Sequence, residues 1–262
     1  MMLSSVQHMS IAKSLFSALR SVEALPSISE IYPDISIDDA YKISLAFLNL
    51  RISKNNEKVI GKKIGVTSKA VQDMLGVFQP DFGFLTDAMA VRDGRVNVNR
   101  LISPRAEAEI AFKLNADLKG PGITGEDVLA ATEYVQPCFE IVDSRILDWK
   151  IKIQDTVADN ASCGVFILGD KKANPNDLDM ASLEVVVKKN GGEISRGMGS
   201  SVQGSPENAV AWLANKLGEY GIPFLAGEII LSGSLVPLEP VVKGDKMNMV
   251  IPNLGSCEVE FI

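Results

Sequence analysis

Three glutamates in two segments of the chain have the residue type and spacing of a site for a hard metal ion. Glu107 and Glu109 stand one residue apart in "SPRAEAEIAFKL", whose alternation of apolar and polar residues is typical of a β-strand. Same-face side chains two residues apart lie roughly 6.5 to 7 Å apart, so both carboxylates could reach one cation. The alternation also fits a half-exposed strand with a solvated polar face, and this stretch alone leaves both interpretations open.

Glu140 favours the metal interpretation. In "PCFEIVD" apolar residues occupy both faces of the predicted strand around it, which predicts a buried carboxylate. A buried carboxylate must be paired, hydrogen-bonded, protonated or metal-bound, because desolvating a lone charge is costly. A salt bridge to a lysine is the alternative. Three carboxylates without histidine or thiolate form the ligand set of Mg²⁺ or Mn²⁺ rather than of zinc.

A lysine and an aspartate are the candidates for proton transfer. In "IGKKIGVTSK" Lys62 and Lys63 point to opposite faces of a predicted strand, so one of them should face inward. An inward lysine readily shifts its pKa, which suits a general acid or base, although a solvated pair on an edge strand is the alternative. Asp81 in "QPDFG" has a loop position that functional carboxylates often occupy, but turn-forming aspartates are found there too.

Two further segments combine small residues with hydroxyl groups. They are "ADNASCG" and "LSGSL", and they make Ser162 and Ser234 the candidate substrate contacts. Small residues allow the backbone to approach a ligand closely. Neither a GxGxxG sequence nor a Walker A sequence occurs, so nucleotide binding has no support.

Composition excludes several classes of function. The net charge of −7 disfavours nucleic acid and anionic membranes as partners. Three cysteines without a CxxC pair indicate neither a disulfide framework nor a thiolate zinc site, and a reducing cytoplasm is the expected location. The single histidine, His8, falls in an N-terminal stretch that we expect to be frayed, which leaves no Ser-His-Asp or Cys-His catalysis. No window reaches membrane-span length.

A strand-rich body must position these residues. Apolar residues at helical spacing predict helices over residues 6–22 and 37–54, and "LEVVVKKNGGEISRG" predicts a hairpin that turns at Asn190-Gly191. The remainder of the chain is mostly short strands and turns. We therefore expect an α+β fold with an N-terminal helical segment, residues 1–57, and a catalytic body, residues 58–262, which together form one compact unit.

Five motifs that occur in order resemble those of the 2-keto-4-pentenoate (2-hydroxypenta-2,4-dienoate) hydratases, in the fumarylacetoacetate hydrolase-like superfamily. The motifs read "GKKIGVTSKAVQDMLGVFQPDFGFLTDAM", "PRAEAEIAF", "CFEIVDSRI", "IQDTVADNASCG" and "LSGSLVPLEPV", and the likeness spans nearly the whole chain from about Tyr32 onward. The resemblance implies a mixed β-roll flanked by helices. It also implies that Mg²⁺ or Mn²⁺ is bound by Glu107, Glu109 and Glu140, and that Lys63 and Asp81 are catalytic.

The resemblance further implies an activity. Water would be added to 2-hydroxypenta-2,4-dienoate to give 4-hydroxy-2-oxopentanoate, in the meta-cleavage degradation of aromatic compounds. A homo-oligomer and an association with the decarboxylase of the pathway are also implied. One alternative is a 4-oxalocrotonate (2-oxohex-3-enedioate) decarboxylase with the same metal site. A second is hydrolysis of a C–C bond in an acylpyruvate, which usually needs a water-activating histidine or glutamate. A non-catalytic partner-binding subunit is disfavoured, because it has no reason to keep inward charges.

Overall fold

The computed structural model describes residues 3–262, apart from the side chains at positions 70, 74 and 75. The helices of this part of the chain are α1 (Ser5–Ser21), α2 (Ile28–Ile31), α3 (Ile37–Asn55), α4 (Lys69–Leu75), α5 (Gly125–Ala130), α6 (Ile153–Ala158) and α7 (Pro206–Gly218). Its strands are β1 (Val59–Gly65), β2 (Asp81–Thr86), β3 (Ala90–Val91), β4 (Arg95–Val96), β5 (Pro104–Leu114), β6 (Thr132–Asp143), β7 (Val165–Leu168), β8 (Glu184–Lys189), β9 (Gly192–Met198), β10 (Ile229–Leu231), β11 (Glu239–Pro240), β12 (Lys246–Ile251) and β13 (Gly255–Phe261). The predicted α+β class with helices at the N-terminus is confirmed.

The larger of the two sheets carries the candidate glutamates and Lys63. Its strands follow the order β2-β1-β10-β5-β6-β7-β3, and β11 pairs with the beginning of β5. Strand β1 is antiparallel to β2 and parallel to β10, so it has a neighbour on each side. The alternative of a solvated lysine pair on an edge strand is therefore wrong. The second sheet has the order β4-β13-β12-β8-β9, and its hairpin turns at Asn190-Gly191 as predicted.

One large hydrophobic core joins the N-terminal helices to the strands. It includes the fully buried Leu15 of α1, Phe47 of α3 and Ile110 of β5. Because burial of such side chains is the main favourable term in folding, the helices are fixed against the body that holds the site. The first two positions of the predicted N-terminal segment lie outside the described residues, and the division between residues 57 and 58 stays a prediction.

The first helices depart from the sequence prediction at one residue, His8. Helices α1 and α3 begin at capping boxes, and in the second of these the Ser36 hydroxyl accepts the N–H of Asp39. His8, however, is buried, and its Nε2 lies 2.8 Å from Oδ1 of Asp39. The expectation of a frayed N-terminus is therefore wrong, because this contact between α1 and α3 orders it. Among residues 3–262, the helices are too short or too polar to cross a bilayer.

Candidate active site

The three candidate glutamates lie on one face of the β5–β6 pair. Glu107 stands directly opposite Glu140 in the register, and Glu109 follows two residues along β5. Each of the three offers a carboxylate oxygen, and these oxygens lie within 4.8 Å of one another. All three side chains are at most 4% exposed. The alternative of a solvated strand face for Glu107 and Glu109 is therefore wrong.

Most oxygens of this acidic cluster lack a hydrogen-bond donor. Glu109 accepts the backbone N–H of Gly233 at 2.7 Å, and Nζ of Lys63 lies 3.5 Å from Oε1 of Glu140. Seven buried polar side-chain atoms of the described residues have no hydrogen-bond partner, and four of them belong to Asp81, Glu109 and Glu140. Buried polar atoms without partners are rare in folded proteins, so these oxygens fit a cation or a bound substrate.

Burial dominates the electrostatics of the acidic cluster. It raises the pKa of Glu107 to about 8, although the nearby Lys63 acts in the opposite direction. Burial also raises the pKa of Glu109, Glu140 and Asp81. Since one facing lysine cannot balance four neighbouring carboxyl groups, the cluster is short of positive charge. A divalent cation would supply that charge, and oxygen donors are the ligands that Mg²⁺ and Mn²⁺ prefer.

Lys63 and Asp81 are brought together by adjacent strands. Asp81 is the first residue of β2 rather than a loop residue, and it stands opposite Gly65 of β1. A methyl group added at Gly65 would collide with Oδ1 of Asp81 and would lie 3.2 Å from Nζ of Lys63. Both charged groups thus approach the same glycine, which must lack a side chain. The other carboxylate oxygen of Asp81 accepts the hydroxyl of Thr156 at 2.8 Å.

Some of the site residues predicted from the sequence line a cleft, and the others lie outside its lining. Lys63, Asp81, Glu107 and Ser162 line one cleft that encloses about 270 Å³, including the part open to solvent. Glu109 and Glu140 do not line the cleft themselves. Their carboxylates lie next to two residues that do, Glu107 and, in the case of Glu140, Lys63. Ser234 lies apart from this lining, and its hydroxyl donates to the carbonyl of Val236 at 2.7 Å.

An unpredicted left-handed turn forms one side of the cleft. Asn160, Ala161 and Ser162 have φ of 54°, 51° and 52°, although none of them is glycine. The side-chain amide of Asn160 accepts the N–H of Phe84 at 2.8 Å and donates to the carbonyl of Phe84 at 3.0 Å. These bonds tie the turn to β2, the strand of Asp81. Such strain persists only where the surroundings impose it, and it concentrates at functional sites.

A buried arginine holds the same turn from its other side. Arg145 is fully buried, and its guanidinium forms an ion pair with the carboxylate of Asp159 and donates to the carbonyl of Cys163 at 2.7 Å. Sequence reasoning missed this support, although Asp and Asn in "ADNASCG" tolerate left-handed backbone better than most residues. The ion pair and the hydrogen bond of Arg145 therefore hold both ends of the turn that carries Ser162.

Comparisons with known proteins agree with these arrangements. The model of the fumarylacetoacetate (FAA) hydrolase C-terminal family matches residues 54–262. The chain is 60% identical over 250 residues to a 2-hydroxyhexa-2,4-dienoate hydratase of Comamonas testosteroni, covering 94% of each chain. It is 58% identical over 210 residues to a 2-hydroxypent-2,4-dienoate hydratase of Pseudomonas putida, covering 79% of this chain and 94% of the relative.

A solved structure is similar over the full length. The structure of 4-oxalocrotonate decarboxylase from Pseudomonas putida G7, complexed with magnesium and adipate, superposes with a TM-score of 0.94. It is 36% identical and covers 99% of each chain. The family likeness that the five motifs predict is confirmed by the family match and by these relatives. The chain belongs to the fumarylacetoacetate hydrolase family.

Proposed function

We propose that this chain is a hydratase that adds water to 2-hydroxypenta-2,4-dienoate and gives 4-hydroxy-2-oxopentanoate, in meta-cleavage degradation of aromatic compounds. The observation that carries this proposal is the buried glutamate cluster beside Lys63, with Asp81 in the same cleft. Relatives named as dienoate hydratases are more similar to the chain than the decarboxylase of known structure. Hydration is therefore favoured over decarboxylation.

Glu107, Glu109 and Glu140 are the proposed ligands of the metal ion, Mg²⁺ or Mn²⁺. Their burial and the unpaired oxygens of Glu109 and Glu140 support a hard cation. Cys138 and Cys163 adjoin the cluster, but burial raises the pKa of both, so they stay neutral thiols rather than thiolate ligands. When bound, such an ion stabilises negative charge on the C1 carboxylate and C2 oxygen of the substrate. The backbone N–H of Gly233 orients Glu109, so the segment that contains Ser234 takes part through its backbone.

Lys63 and Asp81 are the proposed groups for proton transfer. The C2 hydroxyl of the dienol loses its proton and C5 gains one, which gives the 2-oxo-3-enoate. Water then adds at C4 and loses a proton, and C3 gains one. General acid–base groups must lie within reach of these carbons, and Lys63 and Asp81 line the same cleft. The hydroxyl of Ser162 is the proposed substrate contact, because it lines the cleft and the left-handed turn fixes its position.

A two-substrate assay tests hydration against decarboxylation. Purified protein with Mg²⁺ should convert 2-hydroxypenta-2,4-dienoate to 4-hydroxy-2-oxopentanoate and release little CO₂ from 2-oxohex-3-enedioate. The higher identity of the chain to the dienoate hydratases than to the decarboxylase of known structure supports this result. Rapid CO₂ release without water addition would establish the decarboxylase, and turnover of neither substrate would favour a non-catalytic subunit.

Assembly and location belong to the same proposal. We infer a homo-oligomer that associates with the decarboxylase of the pathway. The outer face of the second sheet supports this, since it exposes the apolar side chains of Ile194, Met198 and Val250. Light scattering should give a mass well above the 28.2 kDa of one chain, and a monomer at micromolar concentration would contradict the proposal. The free cysteines of the described residues support a reducing cytoplasm.

A further inference from the structure

The cleft has two chemically different walls. One wall is polar and carries the proposed catalytic groups described above. The other wall is apolar and is formed by the side chains of Val71, Val142, Trp149 and Leu238. An apolar wall beside charged catalytic groups is the usual arrangement of a site that holds the non-reacting end of a small molecule.

The apolar wall does not belong to the main hydrophobic core. Val71, Val142 and Leu238 are 2–4% exposed, and within the described residues they form a separate cluster on which the half-buried Trp149 packs. Large hydrophobic clusters elsewhere in the fold are built from other residues. These side chains are therefore buried against one another beside the cleft, and Trp149 is the member of the wall that keeps exposed surface for a ligand to cover.

The strand register places this wall at the right distance from the glutamates. Val142 follows Glu140 by two residues on the same face of β6, and it stands opposite Arg105, two residues before Glu107 on β5. A two-residue step along a strand is about 6.6 Å, close to the length of an extended five- or six-carbon acid. If the glutamates held a cation that met the C1 and C2 oxygens of a 2-oxo acid, the chain of an acid extended along β6 would reach toward Val142.

Hydrogen bonds and a cation–π contact hold Trp149 at the edge of this wall. Its indole N–H donates to the carbonyl of Ser103 at 2.9 Å and lies 3.0 Å from the Ser103 hydroxyl. The guanidinium carbon of Arg105 lies 4.4 Å from the ring centroid, a stacked cation–π contact. Asp148 and Trp149 both have left-handed backbone, with φ of 56° and 55°. These contacts determine where the ring lies, and it forms part of the cleft lining.

We propose that Val71, Val142, Trp149 and Leu238 form a distal subsite that selects 2-hydroxydienoates with a short alkyl group at C5 over those that end in a second carboxylate. The inference rests on the proposed function and adds its substrate class. A methyl group gains from burial against these side chains, whereas a carboxylate there loses its hydration. Lys63 lines the cleft but faces Glu140 on the polar wall, and Arg105 covers Trp149 and is not among the side chains that line the cleft.

Kinetic discrimination among three substrates tests the subsite. With Mg²⁺ present, kcat/KM should be about 3- to 10-fold higher for 2-hydroxyhexa-2,4-dienoate than for 2-hydroxypenta-2,4-dienoate. The diacid 2-hydroxyhexa-2,4-dienedioate should be hydrated roughly 100-fold more slowly than the hexadienoate, or worse. Leu238→Ala should bring the hexadienoate-to-pentadienoate ratio close to one. These ratios do not depend on the fraction of enzyme that is correctly folded.

Leu235→Ala is the matched control. Leu235 lies on the same segment and is equally buried, but it belongs to the main core and does not line the cleft. This variant should be less stable and should keep the wild-type substrate ratios. Unchanged ratios in Leu238→Ala would overturn the subsite. Efficient hydration of the diacid that is lost in Arg105→Leu would also overturn it, because Arg105 would then be a carboxylate receptor.

Binding measurements separate the subsite from the proposed reaction. In calorimetry with Mg²⁺, 2-oxohexanoate should bind several-fold more tightly than 2-oxopentanoate, and 2-oxoadipate should bind most weakly. In Leu238→Ala, 2-oxohexanoate and 2-oxopentanoate should bind with similar affinity. If no dienoate is hydrated but this binding order holds, the proposed function fails and the subsite stands. If dienoates are hydrated but the order is absent, the subsite fails and the hydratase stands.

Discussion

Lys62 and Lys63 are neighbours on β1, and both are buried, but their partners differ. Lys62 forms an ion pair with Glu228, whose carboxylate also accepts the N–H of Leu225 at 2.9 Å. Lys63 lies 3.5 Å from Glu140, and within the described residues neither carboxylate oxygen of Glu140 has a hydrogen-bond donor. The Lys62–Glu228 pair therefore has its hydrogen-bond partners within the fold. The oxygens of Glu140 still lack donors and can accept a ligand or a cation. A satisfied buried pair indicates a structural role, and an unsatisfied one indicates a site.

The two lysines also titrate in opposite directions. Burial lowers the pKa of Lys62, and the single carboxylate of Glu228 does not compensate for it. Burial acts in the same direction on Lys63, but Glu140 and the other acidic groups around it raise the pKa above its ordinary value. Because both lysines are buried, the number of neighbouring carboxylates decides the direction of the pKa shift. Four predictions test this distinction, from the largest expected effect to the smallest.

Lys63→Met should have the largest effect, and it should act on catalysis. Loss of a general acid–base group lowers kcat by about 10²- to 10⁴-fold. Because Lys63 also faces the glutamate cluster, the variant must be compared with wild type at saturating Mg²⁺. Steady-state assays with 2-hydroxypenta-2,4-dienoate measure the change, and circular dichroism verifies the fold. A folded variant with kcat within threefold of wild type would remove Lys63 from the proposed mechanism.

Lys62→Met should reduce stability and leave kcat almost unchanged. Removing one partner of a buried ion pair leaves Glu228 uncompensated, which should reduce the unfolding free energy by about 3–5 kcal/mol. The kcat of the folded fraction should stay within twofold of wild type, because Lys62 faces away from the cleft. Urea denaturation measures the stability. The double variant Lys62→Met/Glu228→Gln is the control and should recover most of the loss, since no charge is left buried.

Glu109→Gln should weaken metal binding without unfolding the chain. Replacing one of three carboxylate ligands should reduce Mg²⁺ affinity by at least about 10- to 100-fold. The metal-free variant should be as stable as the metal-free wild type or more so, because repulsion within the cluster decreases. Isothermal titration calorimetry measures affinity, and thermal unfolding in EDTA measures stability. Mg²⁺ affinity equal to wild type would exclude Glu109 as a ligand.

The sequence was most informative where periodicity is strict. Alternation in β5 and β6 placed Glu107 and Glu109 on one face and indicated that Glu140 is buried, and the structure puts all three together. The opposite orientation of Lys62 and Lys63 followed from the same rule, but both lysines are buried, so the expectation that one of them faces inward was incomplete. Such predictions succeed because side-chain direction in a strand depends on position alone.

Long-range contacts could not be predicted in this way. Nothing in the local pattern indicates that Arg145 clamps the turn of Asn160, or that the indole of Trp149 is bonded to Ser103. His8 gave no sign of its contact with Asp39, because the two residues lie on different helices. These arrangements depend on how distant elements pack. A single sequence without homologues holds no direct signal for such packing.

The smallest predicted effect concerns the pH dependence that Lys62 contributes to stability. Its pKa in the folded protein lies below the ordinary 10.5, so between these two values the unfolded chain binds the proton more tightly. The unfolding free energy of wild type should therefore rise with pH relative to Lys62→Met over this window, by at most about 1.4 kcal/mol per pH unit. At pH values below the pKa of Lys62 in the folded protein, the difference in unfolding free energy between wild type and Lys62→Met should not change with pH. Urea denaturation in steps from pH 7 to about 10.5 measures it, the upper limit being the ordinary lysine pKa. If the difference fell as pH rises, the pKa of Lys62 would be raised like that of Lys63, and the contrast between the two lysines would be lost.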